Sequence, residues 1–379
     1  MQVERRPGAF GAAGCGAVGN HCARLSGAAA AEAIPLSIAS LLDMPATVLV
    51  TGASGNIATS LCKALLDAGY VVRGTVRNPA NGKHLEALCP GLQLFSADLE
   101  SDGGWDAACA GCDYVLHVAS PFVLSPTTRD SLVRPAVEGT KRVLGAALRA
   151  KVRRVVLTSS CSACSEGHKG TGKGAEGYVY TEADWTNSDN ASWYSTSKTE
   201  AERAAWALVK NSALELVAIN PSFVHGPMLS SRDCTSFTLM WKLVNAETQV
   251  PMVPNAAFYI ADMRDVVATH LAAMKKPNAA GQRYLVHSGS CHMTDIARSL
   301  AADFPEYSVP TRSMPAPLQW FLGLFMADIA TLPSSQLKLY DTSKAERELG
   351  VKMHSWQEAV KETARTLIEL GLLKPKLKK

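Results

Sequence analysis

Val48-Leu-Val-Thr51-Gly52-Ala53-Ser54-Gly55-Asn56-Ile57-Ala58 reads in order as an apolar β-branched strand, a glycine-marked turn and the start of a helix. That order has a physical use. Gly52 permits the tight turn, Gly55 lets backbone approach a pyrophosphate, and Ala58, where glycine is commoner, is small enough for the helix to pack on the strand. The helix start then offers unpaired N–H groups and a partial positive charge to phosphates. With Thr51, Ser54, Asn56 and Ile57 around the glycines, the stretch is read as a dinucleotide site. Gly14, Gly16 and Gly19 repeat the same pattern as text, but no apolar strand precedes them and no amphipathic helix follows.

Outward from this stretch, short β-branched runs alternate with helical patterns. The pattern predicts strands over 47–50, 71–76, 92–97, 114–118, 154–158 and 215–219, with helices over 56–68, 81–88, 128–150 and 193–210. After Pro221 the rhythm breaks, then resumes with a strand near 283–287 and a final helix over 356–370. Such alternation implies an α/β fold: a doubly wound parallel sheet of Rossmann type, buried on both faces, with a smaller interleaved C-terminal substrate lobe. Residues 44–227 are assigned to the dinucleotide-binding core. Residues 228–373 are assigned mainly to the substrate lobe, with elements returning to the core. The Ala- and Gly-rich residues 1–43 are read as a disordered extension or an upstream start, with a transit peptide as the alternative; 374–379 form a Lys-rich tail. The expected location is cytoplasmic, or an organelle if the first segment is a transit peptide.

The chain has 379 residues, is 47% hydrophobic and carries a formal charge of +4. Lys374, Lys376, Lys378 and Lys379 account for that excess, so no basic face for nucleic acid is expected. The best candidate for an apolar span, Trp320-Phe-Leu-Gly-Leu-Phe-Met326, is too short to cross a bilayer and is read as a buried or interfacial helix. Cys109/Cys112 and Cys161/Cys164 have zinc-like spacing, but neither pair sits in a knuckle, so no metal is expected. A monomer or homodimer acting on a small molecule is the expected assembly.

The end of the second strand selects the cofactor. An acid there would bind a ribose 2′-hydroxyl, yet the segment reads Val72-Arg73-Gly74-Thr75-Val76-Arg77-Asn78. Arg77 can instead pair with a 2′-phosphate, with Lys83 as a second cation, which points to NADP. Asp98, followed by Leu99, closes the third strand where it can accept a bond from adenine; a helix N-cap is its other reading. Val118, Ala119 and Ser120, after His117, end the fourth strand at the carboxyl edge where ligands lie.

Tyr194-Ser-Thr-Ser-Lys198 sets a phenol and an ammonium four residues apart on one helix face. A nearby cation is expected to lower the phenol pKa towards proton transfer, and Lys198 can also hold the nicotinamide ribose. With Thr158-Ser159-Ser160 at a strand end and the upstream glycine turn, the chain resembles the extended short-chain dehydrogenases. The resemblance is to the group containing dihydroflavonol reductases, cinnamoyl-CoA reductases and microbial aldehyde or methylglyoxal reductases. It covers residues 47–373 and includes Asn220-Pro221-Ser222-Phe223-Val224-His225-Gly226-Pro227 and Asp262-Met-Arg264-Asp265-Val266.

The resemblance implies NADPH-dependent reduction of an aldehyde or ketone to an alcohol. By it Ser160 orients the carbonyl, with Ser159 the neighbouring alternative, Tyr194 donates the proton, Lys198 assists, and Pro221, Ser222 and Phe223 line the nicotinamide. Ser165 stands where dihydroflavonol reductases carry a flavonoid-binding Asn, which argues against a phenolic plant-type substrate, and the surroundings of Trp185 and Trp206 look more like the microbial branch. Two other readings are a nucleotide-sugar epimerase or steroid-type dehydrogenase on the same fold, and a non-catalytic NADPH-sensing regulator. The Gly-rich loop 161–192 has the length of a mobile lid, and a Cys161–Cys164 bridge would make it redox-sensitive.

Overall fold

The computed structural model describes residues 45–121, 128–229, 252–325, 332 and 334–372. The expected N-terminal extension, its G-x-G-x-x-G string and the lysine tail lie outside the described residues. The predicted strands and helices appear in order, with one helix, α3, that the sequence pattern did not mark: β1 (Thr47–Val50), α1 (Asn56–Asp67), β2 (Val71–Val76), α2 (Lys83–Leu88), β3 (Gln93–Ser96), α3 (Trp105–Cys109), β4 (Tyr114–His117), α4 (Asp130–Arg149) and β5 (Arg154–Thr158). β6 (Val179–Tyr180), α5 (Trp193–Val209), β7 (Glu215–Pro221), β8 (Phe223–His225), β9 (Ala257–Asp262), α6 (Met263–Lys275) and β10 (Arg283–Val286) continue the chain. β11 (Gly289–His292), α7 (Met293–Asp303), α8 (Ala316–Gly323), β12 (Leu339–Tyr340) and α9 (Trp356–Glu369) complete it.

Among the described residues seven strands form a sheet in the order β3-β2-β1-β4-β5-β7-β10, every pair parallel. Central strands of such a sheet have helices on both faces, which is why β5 is buried along its whole length. The order reverses between β1 and β4, so the crevice at their carboxyl ends is the place where this architecture binds ligands. Gly74 is needed for that geometry: a Cβ there would lie 2.7 Å from the Cβ of Ala53 in the first turn. α1 lays Ala58, Leu61, Cys62 and Leu65 into the same core as Val48, Val50 and Val72.

A second apolar core joins Met228, Phe258, Ile260, Ile296 and Leu300 to Val360 and Leu367 of α9, beneath the three-stranded sheet β11-β9-β8. β10 and α6 return to the first core, through Tyr284, Val286, Ala273 and Met274. Arg154, fully buried, locks β5 to α6 by bonding Glu215 Oε2 (2.7 Å) and donating to the carbonyls of Ala273, Met274 and Lys276 at the helix end. Of the two readings of the apolar run from residue 320, the buried one does not hold for its described residues. Trp320 at the end of α8 is 70% exposed, with Phe321 and Leu324 exposed beside it. Among the described residues no helix is long and apolar enough to cross a membrane.

Candidate active site

The crevice at the β1/β4 reversal is a cleft of about 900 Å³. Its floor follows from the opening stretch of sequence. Gly52 has φ +67°, and a Cβ on it would sit 3.0 Å from the Ala119 side chain, so the turn and the end of β4 close on each other only without one. Gly55 caps α1 without any side-chain bond, which leaves the first helical N–H groups facing the cleft wall formed by Ser54, Gly55, Asn56 and Ile57. Thr51 does not line the cleft. Its hydroxyl accepts from the amides of Val118 and Ala119, each at 3.0 Å, and its proton is left for His117 Nδ1 at 2.9 Å. Burial lowers the His117 pKa to about 3, with the Lys198 charge adding to the effect, so this imidazole is a neutral acceptor.

Arg77, Asp98, Leu99, Val118, Ala119 and Ser120 line the same cleft, and Arg77 makes no ion pair among the described residues. Asp98 is not a helix N-cap: Oδ1 accepts from Glu100 N at 3.0 Å in a turn that ends well before α3. Lys83 begins α2, is exposed and is absent from the cleft wall, in contrast to its expected place beside Arg77.

Ser160, Tyr194 and Lys198 converge on the opposite side, together with Pro221, Ser222 and Phe223. Tyr194 opens α5, whose start is held by Ser192: the Ser192 hydroxyl accepts from Ser195 N (3.2 Å), and Glu166 accepts from both Ser192 N and Ser192 Oγ. The two candidate serines separate by their partners. Ser159 donates to Glu202 Oε2 at 2.6 Å, inside the core, whereas the Ser160 hydroxyl accepts from Ser162 N at 3.1 Å and acts on the Tyr194 phenol, lowering its pKa. Glu202 also takes Asn220 Nδ2, Trp206 Nε1 and Arg283, and Asn220 in turn donates to Ser160 O. A buried polar network thus backs the serine from behind.

The electrostatics differ from the sequence expectation in one respect. Tyr194 keeps 40% of its surface exposed along the cleft, yet its hydroxyl lies deep and burial raises its pKa, with the Ser160 hydroxyl opposing the rise. Lys198 does not reverse this. Its Nζ stands 5.9 Å from the centre of the Tyr194 ring, and burial brings its own pKa down to about 8. The phenol is therefore held as an acid.

Several sequence readings are corrected nearby. The loop after Ser160 is tied down rather than free: Thr186 bonds Ser162 O and Ala163 O, Arg283 donates to Glu182 O and Asp184 O, Lys173 pairs with Asp184 (2.5 Å), and β6 pairs with β12. Cys161 and Cys164 are buried free thiols. Cys161 Sγ donates to Asn220 O and Cys164 Sγ accepts from Arg283, and burial pushes the Cys161 thiol well up and Cys164 to about 12. Neither is suited to redox exchange. Trp185 lies beneath Arg283 (3.9 Å) and Trp206 bonds Glu202, so both serve the core and neither lines the cleft. Ser165 is likewise set back, sharing a 2.8 Å bond with the Tyr340 hydroxyl.

The C-terminal half adds wall residues that sequence reasoning missed: His225, Met228, Tyr259, Met263 and Tyr340. His225 lay within the quoted Asn220–Pro227 stretch without a role. Tyr340, on a two-residue strand, carried no local signal.

A doubly wound sheet with an uncapped helix start on one side of its crevice and a serine–tyrosine–lysine set on the other defines the short-chain dehydrogenase/reductase class. Residues 48–286 match the NAD dependent epimerase/dehydratase family, and the chain belongs to it. It is 35% identical over 339 residues to cinnamoyl-CoA reductase 1 of Arabidopsis thaliana, covering 87% of this chain and 91% of that one. Among solved structures it is similar to Gre2 of Candida albicans in complex with NADPH (29% identity, TM-score 0.71, covering 86% of this chain and 99% of that one). It is also similar to the yeast methylglyoxal/isovaleraldehyde reductase Gre2 with NADPH (27% identity, TM-score 0.70, 86% and 100% coverage).

Proposed function

We propose that this protein reduces an aldehyde or ketone to an alcohol with NADPH, Tyr194 giving the proton. The observation that carries the reading is that Ser160, Tyr194 and Lys198 line one cleft with the start of α1, which has no side-chain cap. The cleft fits the cofactor by its own geometry. Gly52 leaves room where a Cβ would press on Ala119, the α1 N–H groups can hold a pyrophosphate, and Arg77 is an exposed cation suited to a 2′-phosphate. Relatives described as binding NADPH support that choice.

NADPH, when bound, supplies the hydride. Ser160 and Tyr194 then hold the carbonyl oxygen by two hydrogen bonds, which stabilise the negative charge that grows there. Tyr194, kept protonated by burial, passes its proton to that oxygen as general acid. Lys198, one helical turn on, contributes a positive field beside the phenol and a donor for the ribose. Asn220 and Glu202 fix the serine segment, so the donors need not reorganise during the reaction.

The test is turnover of NADPH with a panel of aldehydes and ketones, run beside a panel of nucleotide sugars. Oxidation of NADPH with carbonyl compounds alone supports the reading; epimerisation of a nucleotide sugar, or no turnover of any carbonyl compound, refutes it.

A further inference from the structure

Most polar side chains that the C-terminal half sends to the cleft wall are already engaged. The Tyr259 hydroxyl donates to Gln336 O at 2.8 Å, Tyr340 bonds Ser165, and Ser222 Oγ meets His287 Nδ1 at 3.1 Å. His225 is different. It lines the cleft, is 1% exposed, and among the described residues neither Nδ1 nor Nε2 has a hydrogen-bond partner. Buried polar atoms without partners are rare because they forfeit their bonds to water for nothing, so a buried imidazole with both nitrogens unsatisfied points to a ligand that satisfies it.

The surroundings define that ligand. Burial lowers the His225 pKa to about 4 against the opposing pull of Asp262, so the ring is neutral and offers one donor and one acceptor. Asp262 already takes Arg264 in a 2.7 Å ion pair and makes no bond to the ring. A carboxylate or phosphate would therefore meet no cation at His225 and a buried acid beside it, whereas a hydroxyl or carbonyl oxygen meets a matching partner. The ring packs edge-on against Phe223 (4.9 Å), and Phe223 and Met228 belong to the second core. That places His225 on β8, where the cleft wall meets the second core.

We propose that His225 is a substrate-binding residue that hydrogen-bonds an uncharged oxygen, a hydroxyl or a second carbonyl, carried by the substrate apart from its reacting group. The inference rests on the carbonyl-reduction reading above. Its consequence is specificity: a site that leaves a buried polar group unpaired discriminates against the analogue lacking the matching atom.

The test measures kcat/KM with NADPH for aldehydes and ketones paired to differ by one oxygen: butyraldehyde against its β-hydroxy analogue, phenylacetaldehyde against its ring-hydroxylated analogues, and methyl propyl ketone against acetylacetone. The intact protein is expected to favour the oxygenated member of at least one pair by about ten- to hundredfold. His225→Phe should bring that ratio to within about threefold of unity and melt no lower than the parent, since it removes unpaired buried atoms. His225→Gln, which keeps a donor and an acceptor, should recover part of the ratio. Turnover without discrimination in the intact protein, or a ratio that survives His225→Phe, would overturn the inference while leaving carbonyl reduction standing. A raised Kd for NADPH in His225→Phe with the ratio intact would assign the imidazole to the cofactor and overturn it too. No turnover of any carbonyl compound by the intact protein would instead remove the reading on which the inference rests.

Discussion

Arg283→Met probes the polar network behind Ser160, and its cost can be worked from the contacts. Arg283 Nε meets Glu202 Oε1 at 2.6 Å with side-chain exposures of 9% and 0%, so the substitution leaves a fully buried carboxylate without its cation. Breaking such a pair costs about 3–5 kcal/mol. Ser159, Asn220 and Trp206 still donate to Glu202, which moves the expected cost to the lower end, about 3–4 kcal/mol. For a chain of this size that corresponds to a fall in Tm of about 4–6 °C. The same change frees the carbonyls of Glu182 and Asp184 and loosens the loop that follows Ser160, so kcat should fall as well. Thermal and urea unfolding give the stability, with Arg149→Met as control: its pair with Asp106 has side chains 63% and 70% exposed and should cost no more than about 0.5 kcal/mol. An Arg283→Met protein within about 1 kcal/mol of the parent would refute the reasoning.

Two further outcomes follow from the charged groups of the cleft. Arg77→Ala should raise the KM for NADPH by about ten- to hundredfold, the equivalent of a charge-assisted contact of about 1.5–3 kcal/mol, and leave NADH almost unaffected; equal use of both cofactors by the intact protein would remove that role. Lys198, with its pKa lowered to about 8 by burial, loses its charge as pH rises through that value, so kcat/KM of the free enzyme should decline on the alkaline side with a matching midpoint, and a flat profile to pH 10 would contradict the assignment. The same shift has a stability sign. Between about pH 8 and 10.5 the unfolded chain binds more protons at this lysine than the folded one, so its contribution to stability rises with pH across that window and is level below it.

The sheet and the cofactor crevice were legible because their signals are local. A strand, turn and helix occupy consecutive residues from Thr47, and Tyr194 and Lys198 share one helix, so spacing alone brings them together. Ser159 and Ser160 could not be separated that way, since the choice depends on Glu202, Asn220 and Arg283 from three later elements. Lys83 failed for a related reason: its sequence distance from Arg77 is short, but the 3₁₀ turn Pro79–Gly82 intervenes and α2 begins outside the cleft. The loop after Ser160 looked free because glycine content reports backbone permissiveness, not the partners Thr186 and Asp184 find. The sign of the Tyr194 shift was misjudged because proximity of a cation is visible in a sequence and burial of a hydroxyl is not. Tyr259 and Tyr340 reach the wall from β9 and β12, where no motif marks them.

The proton-donor role is tested most directly in Tyr194→Phe by measuring NADPH affinity and carbonyl turnover on the same preparation. The Ser160 segment, the α1 start and Arg77 are untouched by the change, so the Kd for NADPH should stay within about threefold while kcat falls by about 10²–10⁴. A Tyr194→Phe protein that keeps kcat near that of the parent would contradict the account.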